Sequence, residues 1–397
     1  MKRIFLDVHA LQTVPPSNLN RDDTGAPKSA VYGGVPRARV SSQAWKRATR
    51  TYFTDEHLLD PSELGVRTKK VAEVLAERIT GLDPAIEEGL ALSLAAEVIE
   101  AATGSKIEVP KRKAGSAKDG ETQAPPQSKY LMFLSARQLD GLARFAVDGA
   151  ADIKAHLKDN KAKAKAIADT RHSVDIALFG RMVADSADIN VDAAVQVAHA
   201  ISVHRVDNES DYYTAVDDRN TDAEPGAGMI GTVDFNSATL YRYATVAVHQ
   251  LRDNLGQGLR EDEPITDPVR RAVEAFVHGF AASLPTGKIN TFGHHTLPDA
   301  IIVKLRTTRP ISFVAAFEEP VASERGGGHV RQAAGRLAEY IPDIERAYGD
   351  DTSTRTWVLR VGPNTEKLTG LGEEAANLTA LLASVGAAVE GHMEKPA

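Results

Sequence analysis

The chain has 397 residues, a length that indicates more than one domain or a large insertion. Its 25% charged and 42% hydrophobic residues are typical of a globular protein, and its formal net charge is −7. It contains no cysteine, which excludes disulfides and cysteine-based metal sites and fits a reducing cytoplasm, where we expect the protein to reside. No apolar run reaches the roughly 18 residues of a membrane span. The acidic net charge argues against a protein coated in nucleic acid, but it is compatible with a local cationic groove.

The first 53 residues are predicted to form a strand, a polar loop and a helix. Alternating apolar residues predict a strand over residues 3–11, on which His9 is interpreted as a packed residue and not a general base. A polar loop runs from residue 18 to a glycine turn at Gly33 and Gly34. Ser41 and Ser42 then favour a helix start, where unpaired backbone N–H groups attract an anion such as phosphate.

On a 3.6-residue period this helix carries two different faces. One face is a cationic stripe with a glutamine among the charges: Gln43, Lys46, Arg47 and Arg50. The opposite face is apolar: Ala44, Trp45, Ala48 and Tyr52. Further cations lie on the segment that leads into the helix: Arg21, Lys28, Arg37 and Arg39. Residues 1–50 hold nine Lys and Arg against three Asp, so they form a basic pole that suits a sugar-phosphate backbone; a solvated helix face is the alternative.

The next hundred residues are predicted to be helical. Amphipathic patterns and capping residues predict four helices: residues 68–80, 83–104, 135–147 and 152–168. Residues 105–128 are rich in Lys, Gly, Pro, Ser and Gln and lack periodicity, which is typical of a surface loop.

From Val174 onward the patterns return mainly to strands. Strands are predicted at residues 174–179, 195–203, 240–248, 300–305, 310–317 and 357–361, and helices at 267–284, 330–341 and the alanine-rich tail. Residues 207–231 form an acidic, turn-rich segment. Without the helical block the order is strand, helix, strand, long hairpin, strand, helix, strand, which is the ferredoxin-like order of an RRM-type domain. The predicted fold class is therefore α+β. No segment matches the aromatic RNP1 consensus, so base stacking on the sheet is not expected.

Several separated motifs follow one another in order over nearly the whole chain: SNLNRDD at 17–23, Lys28, YGG at 32–34, RVSSQAWKRATR at 39–50, DIALFGRM at 175–182, VAHAISVHRVDNESDYYTAVDD at 197–218, YRYATV at 241–246 and TGKINTF at 286–292. Together they resemble the CasC family, the backbone subunit of the type I-E CRISPR surveillance complex Cascade.

The resemblance implies a hand-like architecture with an RRM-like palm. Its parts would be palm at 1–59, 173–206 and 232–397, a helical fingers insertion at 60–172 and a thumb loop at 207–231. The thumb of one copy would reach over the guide RNA of its neighbour and displace a nucleotide, a role that falls to Tyr213 and Thr214. Met182 is a further candidate partner, and the alternative is a core residue, because a methionine there is more often core. Lys288, in a Gly-Lys turn, could reach a phosphate. The neighbouring His294 and His295 are interpreted as loop residues or, at most, sugar contacts.

The resemblance also implies that finger lysines hold duplex DNA. Four lysines share one predicted helical face: Lys154, Lys158, Lys161 and Lys165. A solvated face is the default reading of such a row, and Lys111, Arg112 and Lys113 in the surface loop compete for the same role.

The motifs of common enzymes are missing: there is no Walker A loop, no HExxH, no nucleophile elbow and no cysteine nucleophile. The enzymatic alternative is a metal-dependent cut of target RNA by an acidic residue of the thumb loop. Its candidates are Asp207, Asp211, Asp217 and Asp218. The resembled family leaves cutting to other subunits, so we expect no catalysis, no cofactor and no metal.

The sequence thus predicts an antiviral, guide-RNA (crRNA) binding scaffold whose copies assemble head to tail along one guide and support its pairing with target DNA. Its other partners would be the RNA-processing endonuclease and the large and small subunits of Cascade. The predicted phosphate contacts of the palm are Arg21, Lys28, Ser41, Ser42, Gln43, Lys46, Arg47, Arg50 and Lys288.

Overall fold

The computed structural model describes residues 3–110, 125–183, 187–215, 229–256, 263–322, 328–349 and 354–394. The chain divides into two compact units, each made of separate segments. The sheet unit comprises Met1–Glu56, Val195–Val248 and Val273–Ala397, and the helical unit comprises His57–Ala194 and His249–Ala272.

The strands are β1 Phe5–Ser17, β2 Ser29–Tyr32, β3 Val35–Val40, β4 Gly65–Thr68, β5 Ile107–Glu108, β6 Gln127–Ser128, β7 Met132–Ser135, β8 Val195–Val197, β9 Ala200–Ser202, β10 Glu209–Ala215, β11 Met229–Ala247, β12 Ala300–Arg306, β13 Arg355–Arg360 and β14 Glu373–Glu374. The α-helices are α1 Ser42–Asp55, α2 Val71–Leu82, α3 Glu88–Thr103, α4 Ala136–Asp148, α5 Ile153–Ala168, α6 Val174–Phe179, α7 Val248–Leu255, α8 Thr266–Ala282, α9 Ile289–Phe292, α10 Val330–Tyr348 and α11 Leu378–Met393. Short 3₁₀ segments lie at Pro61–Glu63, Ala187–Ile189, Val314–Phe317 and Pro363–Leu371.

The sheet unit is built on one ten-stranded sheet within the described residues. Its order is β14-β13-β12-β1-β11-β9-β3-β2, with β8 and β10 also paired to β11. Apart from the parallel pair β13–β14, the neighbouring strands are antiparallel. The long strands β1 and β11 pair from Phe5 opposite Ala247 to Val14 opposite Ala238, so the centre of the sheet joins chain segments more than 200 residues apart. The fold is therefore a mixed α+β fold, as predicted.

The two faces of the sheet bury different helices because successive side chains of a strand point to opposite sides. On one face, Val14 and Leu240 pack with Trp45 of α1. On the other, Leu11 packs with Leu337 of α10.

Arg242 fastens α1 to its face of the sheet. This side chain is 1% exposed, and its guanidinium carbon lies 3.7 Å from the ring centre of Trp45 and 4.4 Å from that of Phe280. It donates to the side-chain oxygen of Gln12 and to the carbonyl of Phe280. Burial lowers the pKa of Arg242 to about 9. The cation is thus held by two rings and two oxygens, and no described carboxylate forms an ion pair with it.

The helical unit has its own core, formed by α2, α3, α4 and α5 with the strand pair β4–β7. The start of α4 follows the prediction: Ser135 and Gln138 form a reciprocal capping box. Asp152 caps α5, and Gly104 ends α3 with φ 72°. The unit also contains residues 174–194 and 249–272, which the sequence analysis assigned to the palm.

Two predicted strands are wrong. Residues 174–179 form the helix α6, bounded by Ser173 and by Gly180 at φ 79°. A short buried apolar run fits either element, since periodicity cannot separate them. Residues 310–317 end in a 3₁₀ turn, because Phe313 and Phe317, four residues apart, both enter the core beside α10.

Candidate nucleic-acid interface

The loop before β2 has a defined shape that keeps Arg21 exposed. The carboxylate of Asp22 accepts hydrogen bonds from the backbone and hydroxyl of Thr24 at 2.9 and 2.7 Å and from the backbone of Ala26 at 3.1 Å. Arg21 and Pro27 form a β-bridge that closes the loop. The nearest acid is therefore engaged with the backbone in a local turn, while the Arg21 side chain points into solvent.

Two asparagines tie this loop to the rest of the sheet unit. Asn18, which is fully buried, donates through Nδ2 to the carbonyls of Gly25 at 2.9 Å and Asp234 at 2.8 Å. Asn20 accepts through Oδ1 from the backbone N–H of Ser41 at 2.9 Å. The loop is thus positioned against both β11 and the start of α1.

The glycine turn and the helix start lie where the sequence predicted them. Gly33 and Gly34 have φ values of 59° and 76°, which is the geometry of a tight two-residue hairpin between β2 and β3. Ser41 caps α1, and its Oγ accepts from the N–H of Ala44 at 3.3 Å. Because the Ser41 side chain is only 4% exposed, its role is to cap the helix start. Ser42, half-buried, donates its backbone N–H to Nδ1 of His199 at 3.2 Å.

Helix α1 presents the predicted stripe to one side. Trp45, Thr49 and Phe53 are its buried residues. Gln43 and Arg47 are exposed, whereas Lys46 and Arg50 are half-buried. Partial burial lowers the pKa of Lys46. The predicted apolar back is off by one position: Ala44, Ala48 and Tyr52 are half-buried and flank the buried line.

The turn that carries Lys288 is seated directly on the loop. A methyl group at Gly287 would lie 2.4 Å from the carbonyl oxygen of Leu19 and 2.5 Å from that of Asn18, so only glycine fits there. Lys288 itself is exposed, with φ 53°. His294 is buried and bonded to the carbonyl of Pro285 at 3.2 Å, and His295 is exposed.

The structure therefore brings the Lys288 turn, the loop and the start of α1 together on one side of the sheet unit. A recess beside the loop is lined by residues of β1, the loop, β3 and β11, including Leu19, Lys28, Arg39, Val40 and Asn236. Among the described residues, no ion pair engages Arg21, Lys28, Lys46, Arg47 or Lys288. Their charges remain available to an external anion.

The interpretation of Arg37 as one of the cations available near the helix start is wrong. Arg37 is fully buried and donates to the carbonyls of Ser202 at 2.9 Å, Phe317 at 2.9 Å and Glu318 at 3.1 Å. It thus joins the β2–β3 hairpin to two other segments and is not a ligand for RNA.

The thumb segment begins and ends as a hairpin of β10 and β11; residues 216–228, and with them Asp217 and Asp218, lie outside the described residues. Tyr213 and Thr214 are exposed on β10. The Tyr213 ring covers Gly231 on the paired strand, where an added methyl would lie 2.5 Å from it. This cross-strand contact gives the aromatic ring a fixed place on the hairpin.

Met182 lies in the helical unit and is 83% exposed, so its alternative reading as a core residue is wrong. Its neighbour Arg181 is buried, paired with Asp169 at 3.4 Å and hydrogen-bonded to Gln138 at 3.2 Å.

The lysine row of α5 is exposed but is not one straight face. Lys154, Lys158, Lys161 and Lys165 all point to solvent. Asn160 has non-helical angles, φ −123° and ψ 18°, so the helix kinks between the second and third lysines. Lys165 also lies 3.8 Å from Asp188. The competing cations Lys111, Arg112 and Lys113 fall outside the described residues.

The acidic candidates for catalysis form no visible centre in the ranges that the structure describes. Asp207 pairs with Arg205 at 3.0 Å, and Asp211 is exposed on β10. No group of three or more His, Asp or Glu side chains in those ranges could hold a metal ion. No described helix has the length and apolarity required to cross a bilayer.

Sequence reasoning missed Asn18, Asn20 and His199 as parts of this site. Each acts on a partner far along the chain, such as Asn18 on Asp234 or His199 on Ser42. The available signal was that these polar residues lie near a cationic helix or its loop. The sequence alone does not identify the distant residues with which they form hydrogen bonds.

Comparison with known proteins identifies the family of the chain. A family model described as CT1975-like protein matches residues 6–384. One solved chain, from a structure described as "CRISPR RNA-guided surveillance complex, pre-nicking", is 33% identical with a TM-score of 0.80, over 97% of this chain and 100% of that chain. A second, described as "CRISPR RNA-guided surveillance complex", is 30% identical with a TM-score of 0.70, over 97% and 99% of the two chains. No curated protein matches. This chain belongs to the CT1975-like protein family, and it is a component of Cascade of the backbone type that its motifs resemble.

Proposed function

We propose that this protein binds the guide RNA of Cascade by its phosphates and forms the backbone on which the guide is held. One observation carries the proposal. The loop with Arg21, the first turn of α1 and the Lys288 turn meet on one side of an acidic protein, and their cations are not neutralised by described carboxylates. Such a surface attracts a polyanion and does not discriminate between bases.

The strand order supports an RRM-like palm within the sheet unit. The central strands run β12-β1-β11-β9, all antiparallel, and α1 and the second half of α8 lie on one face. This corresponds to the predicted ferredoxin-like order, with the helical unit following α1 and the β10–β11 hairpin as the thumb. Exposed Tyr213 and Thr214 suit a thumb that contacts a nucleotide of a neighbouring copy's guide.

The proposal includes head-to-tail copies along one guide, since heterologous contacts that do not close generate filaments. Watson–Crick pairing, and not the protein, would then read the target DNA. The exposed lysines of α5 are proposed to contact that DNA duplex. The other partners would be the RNA-processing endonuclease and the large and small subunits of a type I-E complex.

Removing two phosphate contacts tests the proposal. Lys46→Ala combined with Arg47→Ala should weaken binding of several unrelated guide RNAs by similar factors. Because each phosphate contact contributes about 0.7 to the salt slope for single strands, the slope of log K against log salt should fall by about 1.4. The matched control removes Arg331 and Arg346, two cations of α10 on the opposite face of the sheet, and should leave the slope unchanged. Sequence-selective loss, or an equal effect of the control, would refute the phosphate model.

We also propose that the protein has no catalytic activity of its own. The alternative, a metal-dependent target-RNA endonuclease that uses a thumb-loop aspartate, predicts magnesium-dependent cuts at regular spacing along the RNA. An RNA integrity gel of the assembled complex with magnesium distinguishes the two, and cuts that disappear in Asp211→Ala would establish the nuclease.

A further inference from the structure

His199 lies in the turn between β8 and β9, exposed, at the entrance to α1. Its Nδ1 is 3.2 Å from the backbone nitrogen of Ser42 and 3.5 Å from an Nη of Arg39. Both neighbours are obligatory hydrogen-bond donors, so Nδ1 must accept through its lone pair. The imidazole is therefore neutral in the free protein and carries its proton on Nε2.

The charged groups that face His199 are all positive. Arg39 comes from β3 and Lys28 from the loop, and the start of α1 adds the positive end of its dipole. Among the described residues, His199 forms no ion pair with a carboxylate. Partial burial, Arg39 and Lys28 together lower the pKa of His199. The free site therefore disfavours the protonated imidazole.

We propose that His199 is a further phosphate-binding residue of the groove. In the free protein its imidazole accepts the hydrogen bond of the first backbone N–H of α1. A guide phosphate replaces the imidazole as the acceptor of that N–H, and His199 then binds the same phosphate as a cation. The inference rests on the proposed function, because it requires an RNA phosphate at this helix start. In the free protein Nδ1 takes the position of a phosphate oxygen, 3.2 Å from the Ser42 nitrogen.

Phosphate binding should be coupled to protonation of His199. When the anion accepts from Ser42 and Arg39, the Nδ1 lone pair loses its donors, and the added negative charge favours the imidazolium, which has two N–H donors. RNA binding should then take up protons near neutral pH. By linkage the affinity rises as the pH falls, by up to about tenfold for each unit by which the bound phosphate raises the histidine pKa.

The test measures the affinity of the full-length protein for a short single-stranded RNA at pH 8.0, 7.0 and 6.0 and fixed salt. Calorimetry in buffers of different ionisation heat reports the protons taken up. His199→Gln retains an oxygen that accepts from Ser42 but cannot become a cation. The control, His392→Gln, changes a histidine at the end of α11 that is bonded to its own helix.

We expect the wild type and His392→Gln to bind roughly three- to tenfold more tightly at pH 6.0 than at pH 8.0, with proton uptake. His199→Gln should show no proton uptake and a flat profile. A His199→Gln profile that equals the wild type overturns the inference while leaving the phosphate groove intact, provided that the Lys46 and Arg47 variant still lowers the salt slope. Failure of the wild-type protein to bind RNA overturns both.

Discussion

Replacing Gly287 with alanine tests whether the cationic groove depends on a rigid seat for the Lys288 turn. The new methyl would lie 2.4 Å from the carbonyl oxygen of Leu19, while ordinary contacts begin at 3.4 Å, so the turn and the loop must separate by about 1 Å. Overpacking of this size costs about 1–3 kcal/mol of stability. The variant removes no charge, yet it should displace Lys288 from the loop that carries Arg21 and Lys28.

The assay compares RNA binding across a salt series with thermal unfolding. We expect Gly287→Ala and Lys288→Ala each to lower the salt slope by about 0.7, because each should remove one phosphate contact. The double variant should then bind RNA no more weakly than either single variant, since both act on the same contact. Gly370→Ala is the matched control: it lies in the same unit, and an added methyl meets nothing within 4 Å. A Gly287→Ala protein that melts and binds like the wild type would refute the reasoning.

Two further predictions concern stability. Arg242→Met roughly keeps the volume but leaves the buried oxygens of Gln12 and Phe280 without a donor, so urea unfolding should show a loss of about 2–4 kcal/mol. The control Arg205→Ala, at an exposed ion pair, should show no measurable loss. Acid should destabilise the fold: burial lowers the pKa of His204 and of His172 to about 4, so below pH 6.5 the unfolded chain binds more protons than the folded one, and the urea midpoint should fall steadily from pH 6.5 to pH 4. A midpoint constant over that range would contradict the assignment of both histidines as neutral.

Local signals carried much of the fold prediction. The glycine pair at Gly33 and Gly34, the cap at Ser41 and the helix start at Ser135 each depend on signals within a few residues, and each is where the sequence placed it. The alternation of β1 also holds, because one face of that strand meets α1 and the other meets α10.

The failures concern partners that are distant in sequence. Arg37 sits in a run of basic residues that looks exposed, but it is buried because Ser202 and Glu318, at least 165 positions away, supply carbonyl acceptors. Residues 174–179 are predicted as a strand but form a helix, and this helix contains Asp175, whose carboxylate accepts from the backbone of distant Gly65 at 3.0 Å. Periodicity contains no information on either contact, so the sequence could predict the cationic stripe but not the residues that position it.

The packing of the sheet explains why this protein would hold a guide by its phosphates and not by its bases. Aromatic residues do lie on the central strands, where an RRM-type sheet stacks bases. Here, however, the protein's own side chains cover this face of the sheet: His9 stacks on Phe313 at 4.3 Å, and Tyr241 accepts from the Phe313 backbone at 2.9 Å. Leu337 of α10 adds to this cover. Since stacking on this face of the sheet is blocked, the groove proposed for RNA consists of cations and the helix start. A guide bound there keeps its base edges free, which is what pairing with a target strand requires.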